Sequence, residues 1–226
     1  MSILVVAAHP DDEILGCGGT MARLAADGLD VFIAILGEGI TSRHGQRNQA
    51  DPVQLRHLQE CSRRVANLVG AKDLFSFSLP DNRFDTVPLL DIAKIIEDII
   101  GRVKPQVIYT QHGGDLNVDH VATFRATLTA ARPMAGTTVR SVLAYEVASS
   151  TDWAFQKFSP IFCPNVFVDI GQSLETKIEA MKVYENETRS FPHPRSPEAL
   201  RAAARRWGSV AGVQAAEAFE LAWEIR

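Results

Sequence analysis

Residues 3–8 form an unbroken apolar run, rich in β-branched side chains, that stops abruptly at His9-Pro10. A short run of this kind reads as a strand buried on both faces, the habit of a parallel sheet covered by helices on each side. The same unit recurs down the chain. Buried strands are predicted at residues 31–36, 74–79 and 107–110, with further strands at 141–148 and 165–170. Helical patterns lie between them at 16–27, 52–68, 89–103 and 118–131. Gly28 and Gly70 are placed to stop the first two, and Pro105 closes the third. Residues 37–49, GEGITSRHGQRNQ, read as a polar loop. Two helices are expected to finish the chain, at 174–187 and 197–225, the last with a break at Gly208 or Gly212.

Alternation of strand and helix with no internal repeat predicts one α/β domain over residues 1–226. The expected fold is Rossmann-like and doubly wound: a mostly parallel sheet with helices on both faces. Right-handed crossovers favour the strand order 3-2-1-4-5. A ligand crevice then opens at the carboxyl ends of the first and fourth strands, where the order reverses.

That geometry gives meaning to two polar segments. His9, Pro10, Asp11, Asp12 and Glu13 follow the first strand directly. Three consecutive acids repel one another, and a divalent cation is the usual remedy. The acids alone could decorate a helix N-terminus, where the dipole favours them, but this leaves the leading histidine unexplained. The second segment, residues 112–120, follows the fourth strand and reads HGGDLNVDH. His120 alone reads as a histidine on a helix face. Beside the first segment it completes a set: His9, Asp12 and His120 converge on one point. Two histidines and a carboxylate with an open position match catalytic zinc coordination. Pro10 fixes the bend that aims His9 and Asp12 the same way.

These segments resemble the PIG-L/LmbE-like deacetylases, which act on N-acetylglucosaminyl groups. The resemblance rests on AHPDDE at residues 8–13, GCGGT at 16–20 and DLNVDH at 115–120. LGEG at 36–39 and AEAF at 216–219 extend it over nearly the whole chain. It implies zinc, or another divalent transition metal, held by His9, Asp12 and His120, with Asp11 as the general base toward the hydrolytic water. The implied partner is a small N-acetylated sugar conjugate, which gives a free amine and acetate. One departure stands out. Many relatives carry a histidine three residues before the last metal ligand, and here Asn117 occupies that place. Asn117 either donates a neutral hydrogen bond to the oxyanion or caps the following helix.

Glu38, Ser42 and Arg43 follow the second strand at the same edge and are candidates for the sugar pocket, or ordinary loop residues. His112, at the end of the fourth strand, and His193, in the Pro-rich stretch FPHPRSP, are further substrate-binding candidates. Tyr145 and Trp153 read as core.

The alternative function is a non-catalytic nucleotide- or sugar-binding module of Rossmann-like form. GxGxxG is absent, and acids occupy the turn where phosphate would sit. A serine or cysteine hydrolase lacks a GxSxG, and Cys17 has no evident base. A net charge of -4 with no basic stripe argues against nucleic acid, and Arg201, Arg205 and Arg206 read as a solvated helix face. Three cysteines without a CxxC fit a reducing cytoplasm rather than a disulfide framework. The first residues read as a strand rather than a signal peptide, and no apolar stretch is long enough to span a membrane. A homo-oligomer is compatible with everything in the sequence.

Overall fold

Strand β1 (Ser2–Ala7) lies inside the sheet and sets its layering. The structure, a computed structural model, describes residues 1–43 and 45–226. Ile3, Val5 and Ala7 enter one core, while Leu4, Val6 and Ala8 enter the other. Burial on both faces is the physical reason the strand is apolar without alternation. After β1 come α1 (Asp12–Ala26), β2 (Asp30–Gly37), α2 (Pro52–Leu68), β3 (Asp73–Leu79), α3 (Leu89–Val103), β4 (Val107–Gln111) and α4 (Val118–Ala130). The chain continues with β5 (Ser141–Tyr145), α5 (Ser150–Trp153), β6 (Val166–Asp169), α6 (Leu174–Val183), α7 (Pro197–Ala211) and β7 (Ala216–Glu224). The loop between β2 and α2 contains two short 3-10 turns, and its residue 44 lies outside the described residues.

The seven strands run in the order β3-β2-β1-β4-β5-β7-β6. The first five are parallel and follow the order expected from the sequence. Strand β7 is antiparallel to both of its neighbours. Its residues were expected to be helical, so this is a correction. Helix α7 ends at Ala211 because Gly212 adopts the left-handed conformation at φ 75. The Ala- and Glu-rich segment beyond favours helix by intrinsic propensity. Pairing overrides it: β7 fills the gap between β5 and β6, burying Ala216, Ala218 and Phe219. A register shift opposite Val142 and Leu143 lets Phe219 and Leu221 pack on one core and Trp223 on the other.

Two helix boundaries also differ. Helix α6 ends at Val183, before the expected 187, and Tyr184 then turns inward. Helix α1 begins at Asp12 rather than at residue 16, so Asp12 and Glu13 lie in its first turn. The glycines of GCGGT have a packing role. A Cβ on Gly16 would lie 2.0 Å from the Tyr145 ring, and one on Gly19 would lie 2.8 Å from Ile170. Only glycine lets α1 come this close to the sheet. A buried ion pair anchors the same helix. Lys177 Nζ donates to Glu217 at 2.6 Å and to the Leu15 carbonyl at 2.7 Å. Glu217 accepts from the backbone N–H groups of Gly19 and Thr20. Both charges are therefore hydrogen-bonded on several sides, the condition under which a buried pair is tolerated.

Candidate active site

The turn between β1 and α1 is tight. Asp12 N–H donates to the His9 carbonyl at 3.3 Å, and His9 N–H donates to Asp12 Oδ2 at 2.8 Å. This folds both side chains toward the end of β4. His9 Nδ1 and His120 Nε2 each lie 3.3 Å from Asp12 Oδ2. One ligand atom from each of His9, Asp12 and His120 falls within 4.8 Å of the others, room for a single ion between them. Gln111, the last residue of β4, donates to Asp12 Oδ2 at 3.0 Å.

The remaining imidazole nitrogens face carboxylates. His9 Nε2 meets Asp119 Oδ2 at 2.8 Å and Asp81 Oδ1 at 3.3 Å. His120 Nδ1 lies 3.1 Å from Asp115 Oδ2. A histidine that ligates through one nitrogen and contacts a carboxylate through the other is fixed in tautomer and orientation. His9, Asp81 and Asp119 also lie close enough to form a ligand set of their own. Those two carboxylates have partners on both oxygens, whereas Asp12 Oδ1 accepts no hydrogen bond among the described residues. Asp119 accepts from the Phe84 N–H, and Asp81 accepts from Ser42 N and Oγ. They therefore serve better as supports of His9.

The charge balance tests the fit of a cation. Asp11, Asp12, Glu13, Asp81, Asp115 and Asp119 are all buried around two histidines and one arginine. Burial disfavours charge on His9, but its contacts with Asp119, Asp12 and Asp81 outweigh this and lift its pKa well above the ordinary value. His120 likewise rises to about 9 against burial, drawn by Asp12 and Asp115. Burial would raise Asp12, yet the two histidines hold it well below the usual carboxylate range. Burial raises Glu13 to about 7 although Tyr184 donates to it at 2.6 Å. An acid-rich pocket that draws protons onto its histidines is one that a divalent cation neutralises.

Asp11 stands at the helix N-cap with φ 106, an uncommon conformation for a residue with a side chain. Its Oδ2 accepts from Arg195 Nη1 at 2.6 Å. Arg195 also reaches Glu187 at 3.2 Å and Ser149 Oγ at 3.0 Å. Burial raises the Asp11 pKa well above the usual value, and Arg195 opposes that rise. Arg195, Asp81, Asp115 and Glu187 were not singled out from the sequence. Asp81 and Arg195 belong to loops distant in sequence from both motifs. Asp115 stood inside a recognised motif, where its acidity beside a histidine was the available signal.

Of the other candidates, Glu38, Arg43, Asn117 and His193 are at least partly exposed, whereas His112 is buried. Asn117 is the N-cap of α4: its Oδ1 accepts from Asp119 N–H at 2.9 Å, and its Nδ2 donates to Asn82 Oδ1 at 3.0 Å. Glu38 takes two hydrogen bonds from Arg47, at 2.7 and 2.8 Å, and one from Thr41. Arg43 pairs with Glu187. His112 turns away from His9, Asp12 and His120, meeting the Pro160 carbonyl at 2.8 Å and Glu220 at 3.2 Å. His193 Nδ1 accepts from the Arg195 N–H, and its ring packs edge-on against Trp153.

Three comparisons place this geometry among known proteins. The deacetylase YaiS of Escherichia coli K12 is 30% identical over 190 residues, covering 81% of this chain and 90% of its own. The diacetylchitobiose deacetylase of Thermococcus kodakarensis is 24% identical over 200 residues, covering 82% of this chain and 69% of its own. The 4-carboxy-2-hydroxymuconate hydratase GalB of Pseudomonas putida KT2440 has the same fold, with a TM-score of 0.77 at 18% identity, covering 100% of this chain and 97% of its own. Fold alone therefore does not choose the chemistry. The sequence does: the model of the PIG-L family, described as GlcNAc-PI de-N-acetylase, matches residues 4–131, a span that includes His9, Asp12 and His120. The chain belongs to the PIG-L family of de-N-acetylases.

Proposed function

We propose that the protein is a zinc-dependent hydrolase that removes the acetyl group from an N-acetylglucosamine-type conjugate, with His9, Asp12 and His120 as ligands and Asp11 as the base. One observation supports it above the others: three donor atoms of catalytic-zinc type lie within 4.8 Å of one another, beside a buried carboxylate. A bound zinc ion supplies Lewis acidity, which polarises an amide carbonyl and makes a water easier to deprotonate.

The protein's own groups perform the proton transfers. Arg195 engages Oδ2 of Asp11, and Oδ1 takes no hydrogen bond among the described residues. Oδ1 is therefore the atom that accepts the proton of the attacking water. A bond forms between that water oxygen and the acetyl carbon. The carbon–nitrogen bond then breaks as Asp11 returns the proton to nitrogen, releasing acetate and a free amine. Asn117 spends one Nδ2 hydrogen on Asn82 and keeps a second for the oxygen on which charge develops. Arg43 and His193, at the rim, are assigned to the sugar hydroxyls. Glu38 and His112 act through the segments they hold. Among the described residues no helix is long and apolar enough to cross a membrane. The free cysteines support a cytoplasmic setting.

The test is elemental analysis of chelator-free protein together with acetate release from N-acetylated sugars. About one zinc per chain is expected, lost in His9→Ala and in His120→Ala. Asp11→Asn should keep the metal and lose roughly 100- to 10,000-fold in turnover. Full metal content in both histidine variants, or normal turnover in Asp11→Asn, contradicts the assignment.

A further inference from the structure

A cavity of about 710 Å³ lies beside the metal centre, between α7, β7 and the segment joining α5 to β6. It shares walls with the site. Leu15 and Gly16 line it from α1, within a turn or so of Asp12. Thr151, also on its wall, donates to Asp115 Oδ2 at 2.9 Å, and the same Asp115 oxygen faces His120. Pro194 lines it as well, immediately before the Arg195 that holds Asp11.

The mouth is apolar. Phe155, Phe158 and Ile161 line the cavity yet are 69%, 49% and 46% exposed. Exposed apolar side chains gathered at a concave opening mark a binding site more often than chance. Phe155 and Gln156 both take the left-handed conformation, at φ 50 and 55, which bulky residues avoid unless something holds them. The wall is anchored: His112 bonds the Pro160 carbonyl, and a Cβ on Gly114 would come within 1.8 Å of that oxygen. The loop after β4, which leads to the metal ligand His120, thus packs directly on the wall of the cavity. An acetyl group needs none of this volume.

We infer that the cavity takes the apolar aglycone of the substrate, an aryl or alkyl group linked to the N-acetylated amino sugar whose acetamide reaches the metal centre. The inference rests on the deacetylase reading for the sugar, and on the cavity alone for the aglycone.

The test uses the zinc-loaded chain and three β-glucosaminides, methyl, phenyl and octyl, in calorimetric titration. The matching N-acetyl glycosides are assayed for acetate release. The phenyl or octyl compound should bind at least about tenfold tighter than the methyl compound, through burial of apolar area. Which of the two binds tighter tells aryl from alkyl. Ala203 lines the cavity from the exposed side of α7, so Ala203→Phe should fill it and erase the gain without disturbing the fold. Phe158→Ala, in an exposed loop, should reduce the gain. Equal affinities for all three glycosides, or gains indifferent to both variants, overturn the inference. So does a concentration-dependent dimer in sedimentation that both variants abolish, since a second copy would then cover the mouth. Equal acetate release from all three N-acetyl glycosides keeps the deacetylase and removes the aglycone site. Tight, Ala203→Phe-sensitive binding with no acetate release does the reverse.

Discussion

Replacing Arg195 by Met removes the cation that pairs with Asp11. The side chain is 19% exposed, while those of its partners Asp11 and Glu187 are 4% and 10% exposed. Met fills most of the volume but leaves those two carboxylates without the guanidinium between them. Glu187 keeps Arg43, and Asp11 keeps no other ion pair among the described residues. Breaking a buried pair by removing one partner costs about 3–5 kcal/mol. For a chain of this size each kcal/mol moves the melting temperature by roughly 2–4 °C, so a fall of about 6–20 °C is expected. Turnover should fall as well, because Asp11 loses the contact that orients it. Arg195→Lys keeps the charge but not the fork that reaches Asp11, Glu187 and Ser149 together, and should sit between parent and Met variant in both readouts. Thermal melts and steady-state kinetics on the two variants supply the test. A Met variant that melts within about 2 °C of the parent and turns over normally would refute the view that Arg195 holds the base.

Asp119→Ala removes the 2.8 Å partner of His9 Nε2 and should weaken zinc binding by about 10- to 100-fold in chelator competition. An unchanged zinc Kd would deny it the supporting role. Gly16→Ala gains up to about 1 kcal/mol of helix propensity, but its Cβ would lie 2.0 Å from the Tyr145 ring, which is pinned by a 2.8 Å bond to the Val6 carbonyl. Overpacking of about 1–3 kcal/mol should win, and a raised melting temperature would show that Tyr145 can yield. Asn117→Ala loses its cap, about 1 kcal/mol or roughly 2–4 °C. If its free Nδ2 hydrogen serves the oxyanion, kcat also falls by as much as about 100- to 1,000-fold with KM nearly constant. A lower melting temperature with unchanged kcat leaves Asn117 as a cap only.

The parallel half of the sheet was legible because each strand states its own environment. Residues 3–8 are apolar throughout since both faces of β1 are covered, and the glycines and prolines between elements mark where each one stops. Strand β7 was hidden by the opposite circumstance. Its alanines and glutamates are good helix formers, and its alternation of Phe219, Leu221 and Trp223 is interrupted by a bulge. What makes it a strand is the open edge of β5, a fact of tertiary structure that no local window contains.

The same division runs through the site. The proposed metal ligands must lie near one another at the carboxyl ends of central strands, so His9 with Asp12 appears as one short motif after β1, and His120, next to the supporting Asp119, as another after β4. The groups that balance and aim them obey no such rule. Asp81 arrives from the loop after β3 and Arg195 from the loop before α7, each needing only one atom in reach. An isolated arginine among prolines gives no periodic or spacing signal. Charge accounting does give one. Three acids in a row at residues 11–13, followed by Asp115 and Asp119, exceed what a single divalent ion offsets once all are buried. Burial offsets part of that charge by raising Asp11 and Glu13, and Arg195, brought from outside the motifs, supplies positive charge to Asp11.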